Sequence, residues 1–171
     1  GCGALVALML SIAPEHELRG MLFWLMGDLS QNNSPWIAVT VLVLALIAAL
    51  PFARELNLLT RGQDTAQALG VNVRRLRYIV YAIASLVTAT AVTSAGSVGF
   101  VGLIVPHLVR LAIGNDQRLL LPASVLAGGA LLTIADTLAR SIVAPEQLPV
   151  GVLTALIGVP VFLFLLARHR Q

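Results

Sequence analysis

The feature that most constrains this chain is a stretch of 32 residues, from 78 to 109, that contains no Asp, Glu, Arg or Lys. As a single helix it would be about 48 Å long, whereas the hydrocarbon core of a bilayer is ~30 Å thick. The sequence SAGSVG at 94–99 supplies glycines at which two helices can be joined, and Pro106 interrupts the second half before Arg110. We therefore predict two short membrane helices folded back on each other.

Helices broken at membrane depth are tolerated only where protein or a water-filled cavity surrounds the backbone. The pattern therefore indicates a transporter or a channel. The residues of this broken-helix motif are Gly96, Gly99, Gly102, Pro106, His107 and Arg110. His107 follows the proline and lies one turn before Arg110, so we expect a packed or capping histidine rather than a proton relay.

Composition supports an all-α polytopic transmembrane bundle, because 58% of the residues are apolar and only 11% are charged. Further uncharged stretches run over 36–53, 119–135 and 147–167, and the second extends to 143 if Asp136 and Arg140 are tolerated. The opening run, 1–13, is too short to cross alone. We expect about five complete spans and one partial span, with the chain beginning partway through a helix of a longer protein.

The arginines predict the orientation. Nine of the eleven lie in 54–77, 110–118 and the C-terminal 168–170, and only Arg19 and Arg140 lie elsewhere. Five alternating spans would place these three regions on one side. Short arginine-rich loops stay in the cytoplasm, so we predict a cytoplasmic C-terminus. The net charge of +3 follows from this sidedness and does not indicate a nucleic-acid partner.

The residues that are missing exclude several kinds of chemistry. The chain has no lysine, which excludes a phosphate-binding GxxxxGK[ST] loop and a Schiff-base lysine. Its one cysteine, Cys2, cannot form an intrachain disulfide, and its three histidines lack metal-site spacing. We therefore expect no catalytic residue, metal or cofactor, and no enzyme. Uphill transport would draw its energy from an ion gradient or from another subunit.

The polar loop between the first two complete spans has helix signals. Thr60 and Gln63 have the spacing of a capping box, which predicts a helix over 61–69 that ends at Gly70 in the left-handed conformation. Asn72 is placed to cap the following membrane helix.

The same loop carries two small residues four apart, Gly62 and Ala66. On a helix they would share one face and allow the backbone of another protein to approach. A solvated amphipathic connector fits the same residues equally well.

Five motifs in register resemble a known family. They are LNLLTRGQDTAQALGV at 56–71, GFVGLIVPHLVR at 99–110, LP at 121–122, AD at 135–136 with Arg140, and LPVGV at 148–152. Together they resemble the membrane permeases of ABC importers for iron–siderophores, haem and cobalamin, the FecCD/BtuC-type family. The resemblance covers the chain from about Trp24 onward and corresponds to the C-terminal half of such permeases. Asp28 departs from the uncharged residue expected after Gly27, and we attach no function to it.

The resemblance implies roles and partners. Residues 1–171 would be part of a permease domain in the bacterial inner membrane, paired as a homodimer or pseudodimer. Residues 57–75 would form the cytoplasmic coupling-helix region, which contacts ATPase subunits through Arg61, Gly62, Ala66, Leu69 and Gly70. Arg140 would dock a periplasmic or lipoprotein substrate-binding protein. From the residues alone, Arg140 can instead pair with Asp136, four positions earlier on a helix.

Two mechanisms follow from these readings. The resemblance implies ATP-driven alternating access in which the permease performs no covalent chemistry. An ion-gradient secondary transporter is the alternative, and it would need Asp136 as its coupling carboxylate.

The predicted sidedness can be tested with single cysteines in a Cys2→Ser background. A cysteine replacing Gln63 should react with an impermeant thiol reagent only from the cytoplasm, and one replacing Gln147 only from outside, because three spans separate them. Labelling of both positions from one face would contradict the topology.

Overall fold

The computed structural model describes residues 2–29, 35–142 and 148–168. Glu146, Gln147 and the tail after Arg168 lie outside the described residues. The regular structure in the described residues is helical, as the sequence predicts. The helices are α1 (Cys2–Ile12), α2 (Glu15–Met26), α3 (Pro35–Ala49), α4 (Ala53–Leu59), α5 (Gln63–Ala68), α6 (Val73–Ala95), α7 (Val101–Ile113), α8 (Gln117–Ile142) and α9 (Val150–Arg168).

Three helical stretches are long and apolar enough to cross a bilayer: Pro35–Leu59, Val73–Ala95 and Gln117–Ile142. The first joins α3 and α4 through a 3₁₀ turn at Leu50–Phe52. Shorter apolar helices cover Gly3–Ile12, Val101–Ile113 and Val150–Leu163. Three of the five expected crossings are these long helices, and the shorter apolar helices α7 and α9 lie where the other two were predicted. α7 extends only about 20 Å.

The predicted break in the long uncharged stretch is confirmed, and it falls between α6 and α7. Gly96 ends α6 with φ +69°, a conformation that glycine adopts without strain. Phe100 precedes α7 with φ +65°, which is uncommon for a residue with a side chain. The chain thus turns through two residues with positive φ, four positions apart.

The two helices on either side of this break do not pack mainly on each other. α6 packs along α3, whereas α7 packs on α8 and α9. The predicted back-folded pair is therefore wrong in its pairing. Close approach of α7 to α9 explains the difference, because Gly158 of α9 offers a site at which Phe100 can lie directly against the helix backbone.

Three glycines join helix ends at a point that we call the glycine junction: Gly27, Gly96 and Gly151. The amide of Asp28 donates to the carbonyl of Ala95 at 2.9 Å, and the amide of Gly151 donates to the carbonyl of Gly27 at 3.5 Å. A Cβ at Gly96 would overlap the Trp24 carbonyl oxygen, and one at Gly151 would overlap that of Met26. The ends of α2 and α6 and the start of α9 therefore meet backbone to backbone.

Several hydroxyl groups within the apolar helices are bonded to their own helix. Thr133, Thr137 and Ser141 of α8 donate to carbonyls four residues earlier, at 2.9, 2.7 and 2.6 Å. Because each donor is satisfied locally, these exposed residues can lie in an apolar environment without an unpaired hydroxyl.

Packing at Gly158 predicts a large effect of one methyl group. A Cβ there would lie 2.5 Å from the Phe100 Cβ and 3.2 Å from Ile104 Cδ1, so Gly158→Ala should destabilise the bundle by ~1–3 kcal/mol through overpacking. Thermal unfolding in detergent would show the loss as a lower Tm.

Gly129→Ala is the matched control. Gly129 is also a helical glycine, but nothing lies within 4 Å of its Cβ position. Its replacement should be neutral or slightly stabilising, because alanine favours helix. An equal fall in Tm for both variants would contradict the packing explanation.

Candidate functional site at the two ends of the bundle

The two arginine-rich loops lie at the same end of the bundle, which we call the basic end. The side-chain amide of Asn57, in α4, donates to Asp116 Oδ1 at 2.8 Å across 59 positions of sequence. α6 then runs 23 residues from this end to the glycine junction. The predicted grouping of regions 54–77 and 110–118 on one side is therefore confirmed in the fold.

The helix predicted over 61–69 is present but begins later, because α5 covers Gln63–Ala68. The predicted capping box is wrong. Thr60 ends α4 instead, and its hydroxyl donates to the Asn57 carbonyl at 2.8 Å. Gly62, with φ +118°, precedes α5 without a side-chain cap.

The end of α5 matches the prediction. Gly70 has φ +84°. Its amide donates to the carbonyl of Gln67 at 2.9 Å, and the amide of Val71 donates to the carbonyl of Ala66 at 3.0 Å. This pair of bonds is a Schellman motif. Asn72 then caps α6 as predicted, because its side chain accepts from the amide of Arg75 at 3.0 Å.

The exposed surface of this region differs from the one expected. Ala66 has no exposed surface and packs within its own chain, so this fold gives it no surface for direct contact with another protein, and its role in ATPase coupling stays a prediction. Its small size instead allows α5 to pack against α4 and α6. Leu69 is 61% exposed, and Arg61, Gly62 and Gly70 are also exposed.

A pocket of about 460 Å³ opens beside this helix, between the end of α4 and the start of α6. Its walls include Leu58, Leu69 and Leu76, and Arg54 and Arg75 also line it. The basic end thus combines an exposed leucine with positive charge.

Asp116 is the centre of the hydrogen bonds at the basic end. The Asn57 side chain, and next the amide of Arg118, donate to its carboxylate and lower the pKa of Asp116 from the ordinary value of 3.8. The Asn57 side-chain oxygen also accepts from the amide of Gln117 at 2.9 Å. Sequence reasoning missed this contact, since nothing in the pattern links positions 57 and 116.

The end of α8 near the glycine junction carries the predicted ion pair. Arg140 Nε lies 2.8 Å from Asp136 Oδ2, with side chains 41% and 27% exposed. Asp28 lies within electrostatic range of the same guanidinium. We attached no role to Asp28 from the sequence. In the fold, Asp28 lies near this pair because its backbone amide is bonded to the end of α6.

The broken-helix motif divides into packed and open positions. Gly96 is buried in the glycine junction, whereas Gly99 and Gly102 have nothing within 4 Å of a Cβ. Pro106 and the half-buried His107 lie inside α7, and Arg110 lies in its last turn at the basic end. The motif therefore shapes the helix break and does not form one cluster of side chains.

Comparison with known proteins gives a consistent result. The FecCD transport family matches residues 1–168. The haemin transport system permease protein HmuU of Yersinia pestis is 43% identical, and the match covers 99% of this chain and 52% of that protein. The cobalamin import system permease protein BtuC of Halobacterium salinarum is 48% identical, with 97% and 45% covered.

A solved structure has the same fold. It is described as an inward-facing conformation of a putative metal-chelate type ABC transporter, and it is 36% identical with a TM-score of 0.84. The match covers 97% of this chain and 55% of the solved one, so the chain spans about half the length of the relatives it matches. These matches agree with the motifs at 56–71, 99–110 and 148–152, and the chain belongs to the FecCD transport family.

Proposed function

We propose that this chain is the C-terminal part of the membrane permease of an ATP-driven importer, and that its cargo is a metal chelate of the haem, cobalamin or ferric siderophore class. The observation that carries the proposal is the family match over 1–168. Relatives named as haemin and cobalamin permeases support the cargo class. A chelate that stays intact needs no protein ligands for its metal, and a weakly interacting wall would let it pass without being trapped.

The basic end would face the cytoplasm of a bacterium, with the permease in the inner membrane. Seven arginines lie in the two loops at this end: Arg54, Arg61, Arg74, Arg75, Arg77, Arg110 and Arg118. Positive loops of this length are retained in the cytoplasm. α6 runs toward the glycine junction, whereas α9 starts there and runs 19 residues away from it. This direction of α9 would also bring the C-terminus to the cytoplasmic side.

An ATPase subunit would dock on α5 at this end. Leu69 supports this because a 61% exposed leucine outside the hydrocarbon gains free energy when a partner covers it. Two exposed glycines, Gly62 and Gly70, leave room for close approach at either end of the helix, and Arg61 adds an exposed positive charge. ATP-driven closure of the ATPases would then move α5 and open the path on one side at a time.

A substrate-binding protein would dock at the opposite end, near Arg140. Only the Nε of this arginine is used by Asp136, and the guanidinium has five N–H donors in all. Its partial exposure leaves donors for a carboxylate of the partner. Pairing with Asp136 and docking are therefore compatible.

The permease would also need a second permease subunit or half. Large apolar residues are exposed on several helices, including Trp36 at 74% and Leu126 at 75%. Such faces are suited to lipid or to other membrane helices, as expected in a homodimer or pseudodimer.

Uptake into proteoliposomes tests the proposal against the ion-gradient alternative. The complete permease, with its ATPase and binding protein, should accumulate radiolabelled haemin, cyanocobalamin or ferric dicitrate when ATP is supplied and every ion gradient is collapsed. Uptake that needs a gradient and ignores ATP would favour the secondary transporter.

The proposed ATPase contact predicts the effect of Leu69→Ser. Losing the burial of one leucine is worth roughly 1.5–3 kcal/mol, so association with the ATPase should weaken by about 10- to 100-fold. The membrane yield should stay normal because Leu69 is exposed. Affinity is measured by pulling down the purified ATPase at increasing concentration.

Leu119→Ser is the control, since Leu119 is 57% exposed near the same end but lies on α8. It should leave the ATPase affinity unchanged. If both variants bind the ATPase as the parent does, α5 is a solvated connector and not the ATPase contact.

The ion pair predicts a second pattern. Arg140→Gln alone leaves Asp136 without its partner in an apolar helix, so membrane yield should fall. Adding Asp136→Asn should recover much of the yield. Any remaining loss of yield would then come from Asp28, which also loses its favourable electrostatic interaction with Arg140. Yield is measured by fluorescence-detected size exclusion.

Docking is tested separately with Arg140→Glu and the affinity of the binding protein. If Arg140 docks the partner, affinity should fall, and the loss should shrink at high salt because exposed charges are screened. Unchanged affinity together with rescue of yield in the double variant would leave Arg140 with only its structural pairing.

A further inference from the structure

The contact between Asn57 and Asp116 is unusual because a side chain of α4 takes part in the N-terminal capping of α8. Asp116 acts as the N-cap of α8, since its carbonyl accepts from the amide of Leu120 at 2.8 Å and its carboxylate accepts from Arg118 at 3.1 Å. The amide of Gln117 is left over, and Asn57 accepts from it at 2.9 Å. Both ends of the Asn57 amide are thus bonded to the start of α8.

The position of Asn57 connects this cap to the proposed ATPase site. Asn57 lies in the last turns of α4, and only Thr60–Gly62 separate α4 from α5. α5 also packs on α4, and α4 packs on α8. A displacement of α5 therefore reaches Asn57 through a short, packed segment.

From Asn57 the displacement can reach the rest of the bundle. α8 is a continuous helix of 26 residues whose far end carries Asp136 and Arg140, and it packs along α7. The basic end and the opposite end are thereby joined by one continuous helix, which includes Pro122 in its second turn.

We propose that Asn57 and Asp116 form a latch that makes α4 and the start of α8 move as one unit, so that movement of α5 is transmitted to α8. The proposal rests on the proposed function, in which an ATPase acts on α5. Both residues are positioning residues, and neither touches the cargo.

The geometry is better suited to positioning than to stability. Asp116 is exposed and Asn57 is half-buried, and hydrogen bonds at such sites contribute little net stability. These bonds do fix how α4 is oriented relative to α8, because the planar amide of Asn57 can donate to Asp116 and accept from Gln117 in only one orientation.

Charge exchange separates the latch from a simple loss of folding. Asn57→Asp places two carboxylates against each other and removes the donor, so the latch should open. Adding Asp116→Asn removes the repulsion and restores the link between the two helices with its donor reversed, because the carboxylate at 57 can accept from the side-chain amide at 116 and from the backbone amide of Gln117. Only the bond from the Arg118 amide, which uses the same Asp116 oxygen in the parent, would be exchanged for water. The double variant should behave as the parent does.

The first measurement is a distance that does not depend on transport. Spin labels at cysteines replacing Gln67 of α5 and Leu119 of α8, in a Cys2→Ser background, should give a narrow distance distribution in the parent permease. Asn57→Asp should broaden it, and the double variant should narrow it again. Identical distributions in all three proteins would overturn the latch.

The second measurement is uptake per ATP hydrolysed, in proteoliposomes with the ATPase and binding protein, using whichever of labelled haemin, cyanocobalamin or ferric dicitrate the parent transports. Asn57→Asp should lower this ratio by about tenfold while ATPase association stays normal, and the double variant should restore it to within about twofold. A ratio unchanged by Asn57→Asp would overturn the proposal. Failure of the proposed function itself would appear in the parent, whereas failure of the latch would appear only in the variants.

Discussion

Close contact between backbones at the glycine junction is the constraint on which the rest of the structure depends. Within a bilayer, helices gain little from excluding water, so they associate through van der Waals contact and hydrogen bonds at short distance. Gly27, Gly96 and Gly151 allow this contact at one end of the bundle, where a Cβ on Gly96 or Gly151 would overlap a backbone carbonyl. The break after α6, the direction of α7 and the start of α9 all follow from that meeting point.

The opposite end is joined differently. There the long-range bonds involve the side chain of Asn57 with Asp116 and Gln117, and the surrounding surface is exposed and charged. The closely packed backbones at the glycine junction cannot separate without losing packing, whereas Gly70 and Gly114 at the basic end have nothing within 4 Å of a Cβ. Movement of the helices linked by Asn57 and Asp116, as one unit against the rest of the bundle, should therefore be larger at the basic end than at the glycine junction, as alternating access driven from that end would require.

Features set by local chemistry could be predicted from the sequence. The break near Gly96, the left-handed Gly70, the Asn72 cap and the Asp136–Arg140 pair each depend on residues within a few positions of one another. Features set by tertiary contact could not. Thr60 bonds back to Asn57 because α4 continues to Leu59, Ala66 is covered by neighbouring helices, and α7 packs on α8 and α9 because Gly158 lies opposite Phe100. The family resemblance treats Ala66 and Leu69 alike, whereas the fold buries Ala66 and leaves Leu69 exposed.

The ion pair in α8 shows why charge near the end of a membrane helix need not be a coupling site. An isolated carboxylate in hydrocarbon costs several kcal/mol, which is why intramembrane carboxylates are usually functional. Asp136 is less costly, because Arg140 lies 2.8 Å away, both side chains are partly exposed, and the pair is only a few residues from the end of α8 at Ile142. The geometry of Asp136 thus favours a fixed ion pair, and the energy for transport would then come from a separate subunit.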